Sequence, residues 1–156
     1  LVDITTDGAS SEEVLRVLEQ TWAVSRRWPP RARGRLAQRF GELALQAGAP
    51  GRALDWYEAA WTDLPASRGE LDYRIGSCYE EAGDIPLAIR RYQVIADSAW
   101  RIRGQLAAAK LMEREARWPE AAALYRRIVT EAVPEAAFAA ERLSALETNG
   151  QISSHP

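Results

Sequence analysis

Two stretches of the sequence decide the fold: RFGELALQAGAPGRALDWYEAAW at residues 39–61 and RIGSCYEEAGDIPLAIRRYQVIA at residues 74–96. They superpose without gaps at a shift of 35 residues. The residues that coincide include small and aromatic ones: Gly41 with Gly76, Gly48 with Gly83, Ala53 with Ala88, and Tyr57 with Tyr92. A third stretch, AAAKLMEREARWPEAAALYRRIV at residues 107–129, follows at a shift of 33 residues. Agreement of residue type at a fixed spacing indicates a structural repeat.

Each repeat is predicted to be two helices joined by a tight turn, because alanine, leucine, arginine and glutamate dominate and no strand pattern competes. The turns are expected at residues 48–51, 83–85 and 116–118, and the first two contain a glycine, which adopts a positive φ at little cost. Small residues allow two helices to pack closely, so we expect Gly41 to lie against Ala53. Tyr57 is then expected to fill space toward the next repeat.

The repeat has small residues at its eighth and twentieth places, an aromatic residue at the twenty-fourth and, in the first copy, Pro65 at the thirty-second. This pattern resembles the tetratricopeptide repeat, and the likeness covers roughly two thirds of the chain. It implies an all-α fold, a right-handed α-solenoid of about three helix-turn-helix units with an extra N-terminal helix and a C-terminal capping helix.

The chain is accordingly divided into seven segments. They are a flexible N-terminus (1–9), an N-terminal helix that is a degenerate half-repeat or a cap (10–28), three repeats (34–68, 69–101 and 102–133), a capping helix (134–147) and a disordered tail (148–156). Ser10 and Glu13 have the spacing of a helix-capping pair at the start of the N-terminal helix.

The resemblance also implies a binding groove on the first helix of each repeat. The positions that line the groove in the family correspond to five residues in each repeat of this sequence. They are Arg35, Gln38, Glu42, Leu45 and Gln46 in the first repeat, Glu70, Tyr73, Ser77, Glu80 and Glu81 in the second, and Arg103, Leu106, Lys110, Glu113 and Arg114 in the third, with Arg39 as a further cation beside them. The groove is mixed in charge. It does not match the lysine, asparagine and arginine pattern with which chaperone-binding members hold a C-terminal carboxylate, so that specificity is not assigned.

The charge balance argues against a nucleic-acid-coating protein, because the net charge is -2 and the pI about 5.6. No apolar run is long enough to insert in a membrane. One basic stretch stands out, since six arginines occur between residues 26 and 39 without an acidic residue: Arg26, Arg27, Arg31, Arg33, Arg35 and Arg39. It is either a solvated surface or a dock for an acidic peptide, a phosphate or an anionic polymer.

Catalytic patterns are missing from the sequence. His155 is the single histidine, next to the last residue of the sequence in the expected tail, so histidine-based triads and zinc sites lack their key residue. Glu80 and Glu81 are adjacent, diverge by about 100° on a helix and are better explained as a solvated face than as acid-base catalysts. Cys78 is interpreted as a small packing residue rather than a reactive thiol. We therefore expect no enzyme activity, no metal and no cofactor.

The leading hypothesis is a non-catalytic scaffold that binds a peptide or protein segment, with an acidic one as a candidate, in the groove within a larger assembly. The alternative is a self-assembly module that forms homo-oligomers through its tryptophan-rich ends or its N-terminal helix. The compartment stays open. Residues 123–146, ALYRRIVTEAVPEAAFAAERLSAL, resemble repeats common in bacterial cell-envelope assembly proteins, and this favours the periplasm over the cytoplasm.

Overall fold

The computed structural model describes residues 10–153, and in that range it contains eight α-helices and no strand. The prediction of an all-α fold is confirmed. The helices are α1 (Ser11–Ser25), α2 (Pro30–Gln46), α3 (Pro50–Asp63), α4 (Arg68–Glu81), α5 (Ile85–Gln93), α6 (Ser98–Arg114), α7 (Trp118–Val129) and α8 (Glu135–Thr148), with a short 3-10 helix at Pro65–Ser67 between α3 and α4. The predicted flexible N-terminus lies outside the described residues.

Local sequence signals set where the helices begin. The Ser10 hydroxyl accepts the Glu13 backbone N–H at 3.3 Å, and a Glu13 carboxylate oxygen accepts the Ser10 N–H at 3.1 Å, which is the predicted capping pair of α1. Asp84 and Asp97 cap α5 and α6, because one carboxylate oxygen of each accepts a backbone N–H from the first turn of the helix. Four helices, α2, α3, α5 and α7, have a proline in the first turn, where the missing N–H is not needed.

Helices α2, α4, α6 and α8 all end in the same way. In each, a residue with positive φ follows the helix: Gly48 (72°), Gly83 (81°), Ala116 (57°) and Gly150 (68°). The next N–H then bonds back to a carbonyl five residues earlier: Ala49 to Ala44 (2.9 Å), Asp84 to Tyr79 (2.9 Å), Arg117 to Met112 (2.8 Å) and Gln151 to Leu146 (2.9 Å). The three predicted turns are therefore present, and the third is formed by an alanine in a conformation that favours glycine.

The end of α8 has the same turn as the ends of α2, α4 and α6, and α8 packs on α7 and α6. Its role as a capping helix stays a prediction. Residues 149–152 were assigned to the disordered tail, but they close the helix, and Ile152 packs against the buried core. The ordered chain thus extends further than predicted, because a glycine in the expected tail serves as a helix terminator.

Each helix packs against its neighbours in sequence, and α4 also contacts α6, as α6 contacts α8. The buried side chains form two clusters, one from α1 to α4 around Leu18, Phe40 and Tyr57, the other from α5 to α8 around Tyr92 and Tyr125. Tyr79 packs against both clusters. The boundary between the clusters falls inside the middle repeat, so a single repeat has no separate core, as expected where neighbouring repeats cover one another.

The nearest neighbours of the glycines on the first helices are tyrosine rings. A Cβ added at Gly41 would lie 2.6 Å from the ring of Tyr57, and one added at Gly76 would lie 2.6 Å from the ring of Tyr92. Ala53 is not among the three nearest atoms that such a Cβ would meet. The glycines therefore leave room for the tyrosine of their own repeat, which packs inward across the helix pair rather than only toward the next one.

A second glycine series escaped the sequence analysis although its period was readable. Gly34, Gly69 and Gly104 lie at intervals of 35 residues near the start of α2, α4 and α6. Added Cβ atoms would meet Asp63 and Leu64 at Gly34, and Asp97 at Gly69, at less than 3.0 Å. Gly34 and Gly69 thus let the first helix approach the residues at or just after the end of the second helix of the same repeat, whereas Gly104 on α6 lies against the end of α5 in the preceding repeat.

None of the helices between residues 10 and 153 combines the length and the apolarity needed to cross a membrane.

Candidate functional site

The polar surfaces of the first helices are joined from one helix to the next by contacts between side chains. Gln38 on α2 donates to Glu70 on α4 at 3.4 Å, and Arg114 on α6 donates to Glu80 on α4 at 3.2 Å. Arg142 on α8 bonds Glu113 on α6 through two nitrogens. We call this surface the first-helix face. It is built from α2, α4, α6 and α8.

A cavity of about 250 Å³ opens in the first-helix face between α4 and α6. It is lined by Tyr73, Ser77, Glu80, Tyr92, Arg103, Leu106, Ala107 and Lys110. Six of these eight are residues that the resemblance to tetratricopeptide repeats placed in the groove, although they come from two repeats and span 38 positions of the chain. The predicted groove positions of the second and third repeats therefore converge on one concave site, the central cavity.

Aromatic rings form one wall of the central cavity. The ring centroid of Tyr73 lies 5.3 Å from that of Tyr92 and 5.4 Å from that of Trp100. The guanidinium carbon of Arg103 lies 4.8 Å from the centroid of Trp100, within the range of a cation–π contact. The sequence predicts that Tyr92 packs between repeats and leaves the direction of Trp100 open, since no sequence pattern separates an aromatic residue that packs from one that also borders a cavity.

The cations of the central cavity are held by aromatic contacts and not by carboxylates. Lys110 Nζ lies 4.7 Å from the centroid of Phe138 on α8, as Arg103 lies over Trp100. In the part of the chain that the structure describes, neither cation has a salt bridge within 4.0 Å. Glu80 contributes the one carboxylate of the lining, and Arg114 pairs with it at 3.2 Å. The cavity consequently has two cations available to an incoming anionic or carbonyl group.

Glu80 and Glu113, both predicted groove residues, are bound within the protein. Tyr92 donates its hydroxyl to Glu80 at 3.2 Å, and Tyr125 donates its hydroxyl to Glu113 at 3.0 Å. Each glutamate is also bonded by an arginine from the next first helix, Arg114 or Arg142. Each therefore ties the two helices of its own repeat to the following repeat.

Burial raises the pKa of the Tyr92 and Tyr125 hydroxyl groups well above the usual value. Both hydroxyls therefore remain protonated and keep donating to the glutamates. The Ser77 hydroxyl lies 3.1 Å from the Tyr92 oxygen and extends the same network to the cavity lining.

The remaining predicted groove residues lie on exposed or half-buried parts of the first helices. Arg39 pairs with Glu42 at 2.7 Å on the surface of α2, and Gln46 and Glu81 are exposed at the ends of α2 and α4. Arg35 and Gln38 line a different, larger cavity of about 700 Å³ at the start of α2. The sixteen predicted residues thus do not form one site.

The residues considered for chemistry have packing or surface positions. Cys78 is buried in the N-terminal cluster, and burial raises the pKa of its thiol to about 12, which keeps it protonated at neutral pH. Glu80 is bonded as described above, while its neighbour Glu81 is exposed. No group of three histidine, cysteine, aspartate or glutamate residues that could hold a metal ion occurs among the described residues. His155 lies outside that range.

Comparison of the chain with protein-family models, with curated proteins and with solved structures gave no match.

Proposed function

We propose that this protein is a non-catalytic scaffold of the tetratricopeptide-repeat type, a right-handed α-solenoid that binds an extended peptide or protein segment along its first-helix face. Three features support the solenoid: the shared ends of the first helices, the contacts of α4 with α6 and of α6 with α8, and the cores that neighbouring repeats share. In such a solenoid, polar side chains of successive first helices lie next to one another, as the contacts of Gln38 with Glu70 and of Arg114 with Glu80 do.

The single observation that carries the proposed binding function is the central cavity. It gathers tyrosine rings, a serine hydroxyl and two cations, Arg103 and Lys110, that lack a carboxylate partner among residues 10–153. Such a lining suits an extended segment that brings carboxylates or backbone carbonyls to the cations and an apolar or flat group to the rings. A partner with an acidic segment fits best.

The test is a double charge reversal, Arg103→Glu with Lys110→Glu, in a tagged protein used to capture polypeptides from the cells that produce it. Because the two cations hold no internal salt bridge among the described residues, we expect native helicity and loss of a captured polypeptide. The matched control is Arg90→Glu with Arg126→Glu, two exposed arginines on the second helices α5 and α7. Equal capture by the cavity variant and the control would rule out the central cavity as the binding site.

Self-assembly is a second candidate, favoured by exposed apolar residues at the N-terminal end. Val17 and Val24 on α1 expose 40% and 67% of their surface, and Trp28 in the following turn exposes 44%. Apolar groups of this kind are buried when two copies associate. Light scattering over a range of protein concentrations tests this candidate, and a monomer at every concentration would contradict it.

A further inference from the structure

The largest cavity described for the chain lies apart from the central cavity, at the start of α2. Its volume is about 700 Å³, and it lies between the first turns of α2 and the connection from α3 to α4. Its walls are mostly apolar and include Pro29, Pro30, Leu64, Pro65 and Ala66. We call it the proline cavity. Among residues 10–153, no aromatic side chain lines it.

The proline cavity adjoins the basic stretch of the sequence, and the structure divides those arginines into paired and unpaired ones. Arg33 makes a bidentate salt bridge with the buried carboxylate of Asp63, at 2.6 and 2.7 Å, and Arg39 pairs with Glu42. Arg31 and Arg35 are exposed on the cavity wall and have no salt bridge with any residue in the range 10–153. The cavity therefore has an apolar interior and two free positive charges.

The proline cavity is continuous with the first-helix face. Gln38 lines the cavity and donates to Glu70 on α4, and Tyr73, one turn after Glu70, lines the central cavity. An extended chain that crosses the first-helix face can thus reach both cavities. Arg31 and Arg35 are four residues apart on α2 and project from the same side of the helix.

We propose that the proline cavity anchors an acidic segment of the partner protein, with an apolar side chain inserted between the prolines and flanking carboxylates on Arg31 and Arg35. This inference deepens the proposed function and rests on it. Charge complementarity supports the acidic part, since the two arginines have no internal counter-charge in the described chain. The apolar walls favour a protein segment over a nucleic acid, whose bases bind by stacking on aromatic rings that this cavity lacks.

The probe for the test is a fluorescein-labelled peptide that alternates aspartate and leucine, measured by fluorescence anisotropy. Three further probes are the same peptide with asparagine for aspartate, the same peptide with serine for leucine, and a labelled oligo-thymidine of similar charge. We expect the aspartate-leucine peptide to bind in the micromolar range and the other three to bind at least about tenfold more weakly. Failure of the aspartate-leucine peptide to bind, or equal binding of oligo-thymidine, would overturn the inference.

Two variants locate the binding within the molecule. Arg31→Glu with Arg35→Glu removes the proposed charge contacts, and Ala66→Trp fills the cavity from an exposed position on its rim. Both should weaken binding of the aspartate-leucine peptide at least about tenfold, whereas the control Arg90→Glu with Arg126→Glu should bind like the wild type. If the control weakened binding equally, the effect would come from the net charge of the protein, and the proline cavity would not be the binding site.

The same variants separate this inference from the proposed function. If Arg103→Glu with Lys110→Glu abolishes peptide binding while Ala66→Trp and the Arg31 and Arg35 variant leave it intact, the central cavity binds the segment and the proline cavity does not. If the peptide binds the wild type but none of these variants differs from the control, both proposals fail.

Discussion

Tyr57 in the first repeat and Tyr92 in the second occupy equivalent positions 35 residues apart, and both rings are buried against a glycine of the paired helix. Their hydroxyl groups differ. That of Tyr92 bonds Glu80, while that of Tyr57 is buried without a hydrogen-bond partner among the described residues. The cause is one position on the first helix, which is Leu45 in the first repeat and Glu80 in the second.

The third repeat follows the second, because Glu113 stands at the same position and bonds Tyr125. One substitution thus leaves the packing unchanged and alters the polar contacts. The second and third repeats border the central cavity, whereas the first repeat borders the proline cavity, whose walls are more apolar. The repeats share a scaffold and present different chemistry along it.

The largest effect should come from breaking the shared packing. In Gly76→Leu, the Cβ alone would lie 2.6 Å from the Tyr92 ring, and the rest of the leucine side chain would need further space. We expect the free energy of unfolding to fall by about 3 kcal/mol or more. Urea denaturation followed by circular dichroism measures this loss. Gly51→Leu is the control, since a Cβ at Gly51 meets no atom within 4 Å. If both variants lost a similar amount of stability, the contact between Gly76 and Tyr92 would not be the reason that a leucine is unfavourable at position 76.

The hydroxyl groups offer a direct test of the difference between the repeats. Tyr92→Phe and Tyr125→Phe should each lower the free energy of unfolding by about 1–2 kcal/mol, because each removes a hydrogen bond to a carboxylate. Tyr57→Phe should cost nothing or stabilise the protein, because its hydroxyl is buried without a partner in the described chain. Urea denaturation of the three variants measures this. A loss in Tyr57→Phe as large as that in Tyr92→Phe would contradict the comparison.

A smaller effect is expected at the turns inside the repeats. Gly83→Ala should destabilise by about 1 kcal/mol, because φ is 81° there, and Ala116→Gly should stabilise by about 0.5–1 kcal/mol, because φ is 57° at that alanine. Thermal unfolding measures both changes, and we expect the melting temperature to fall in Gly83→Ala and to rise in Ala116→Gly. The same sign in both would mean that the turns of the second and third repeats are not equivalent.

Much of the fold was predictable from local sequence. The period, the turns at Gly48 and Gly83, and the capping pair of Ser10 and Glu13 follow from spacing and residue type, and the structure contains them all. The atoms nearest to a Cβ added at Gly41 belong to the Tyr57 ring, a neighbour that the spacing did not predict. Spacing identifies which residues must be small but not which neighbour requires it.

The site was predictable only in part. Six of the groove residues that the resemblance implied line the central cavity, and one of them, Glu80, also bonds inside the protein, as Glu113 does. Arg35 and Gln38 line the proline cavity instead. The role of α8 in this region was not predicted, and it supplies Arg142 to Glu113 and Phe138 to Lys110. These partners lie about one repeat away in sequence, so local pattern does not pair them.

By itself, the sequence determined the helices, their turns and their repetition, because these depend on residues within a few positions of one another. Only the tertiary structure decided which polar groups remain free for a partner. Arg33 and Arg35 are two positions apart and chemically identical, yet Arg33 is neutralised by Asp63, 30 residues away, and Arg35 lies on the wall of a cavity. The physical reason is that a salt bridge requires charges within a few ångströms, and packing brings such pairs together.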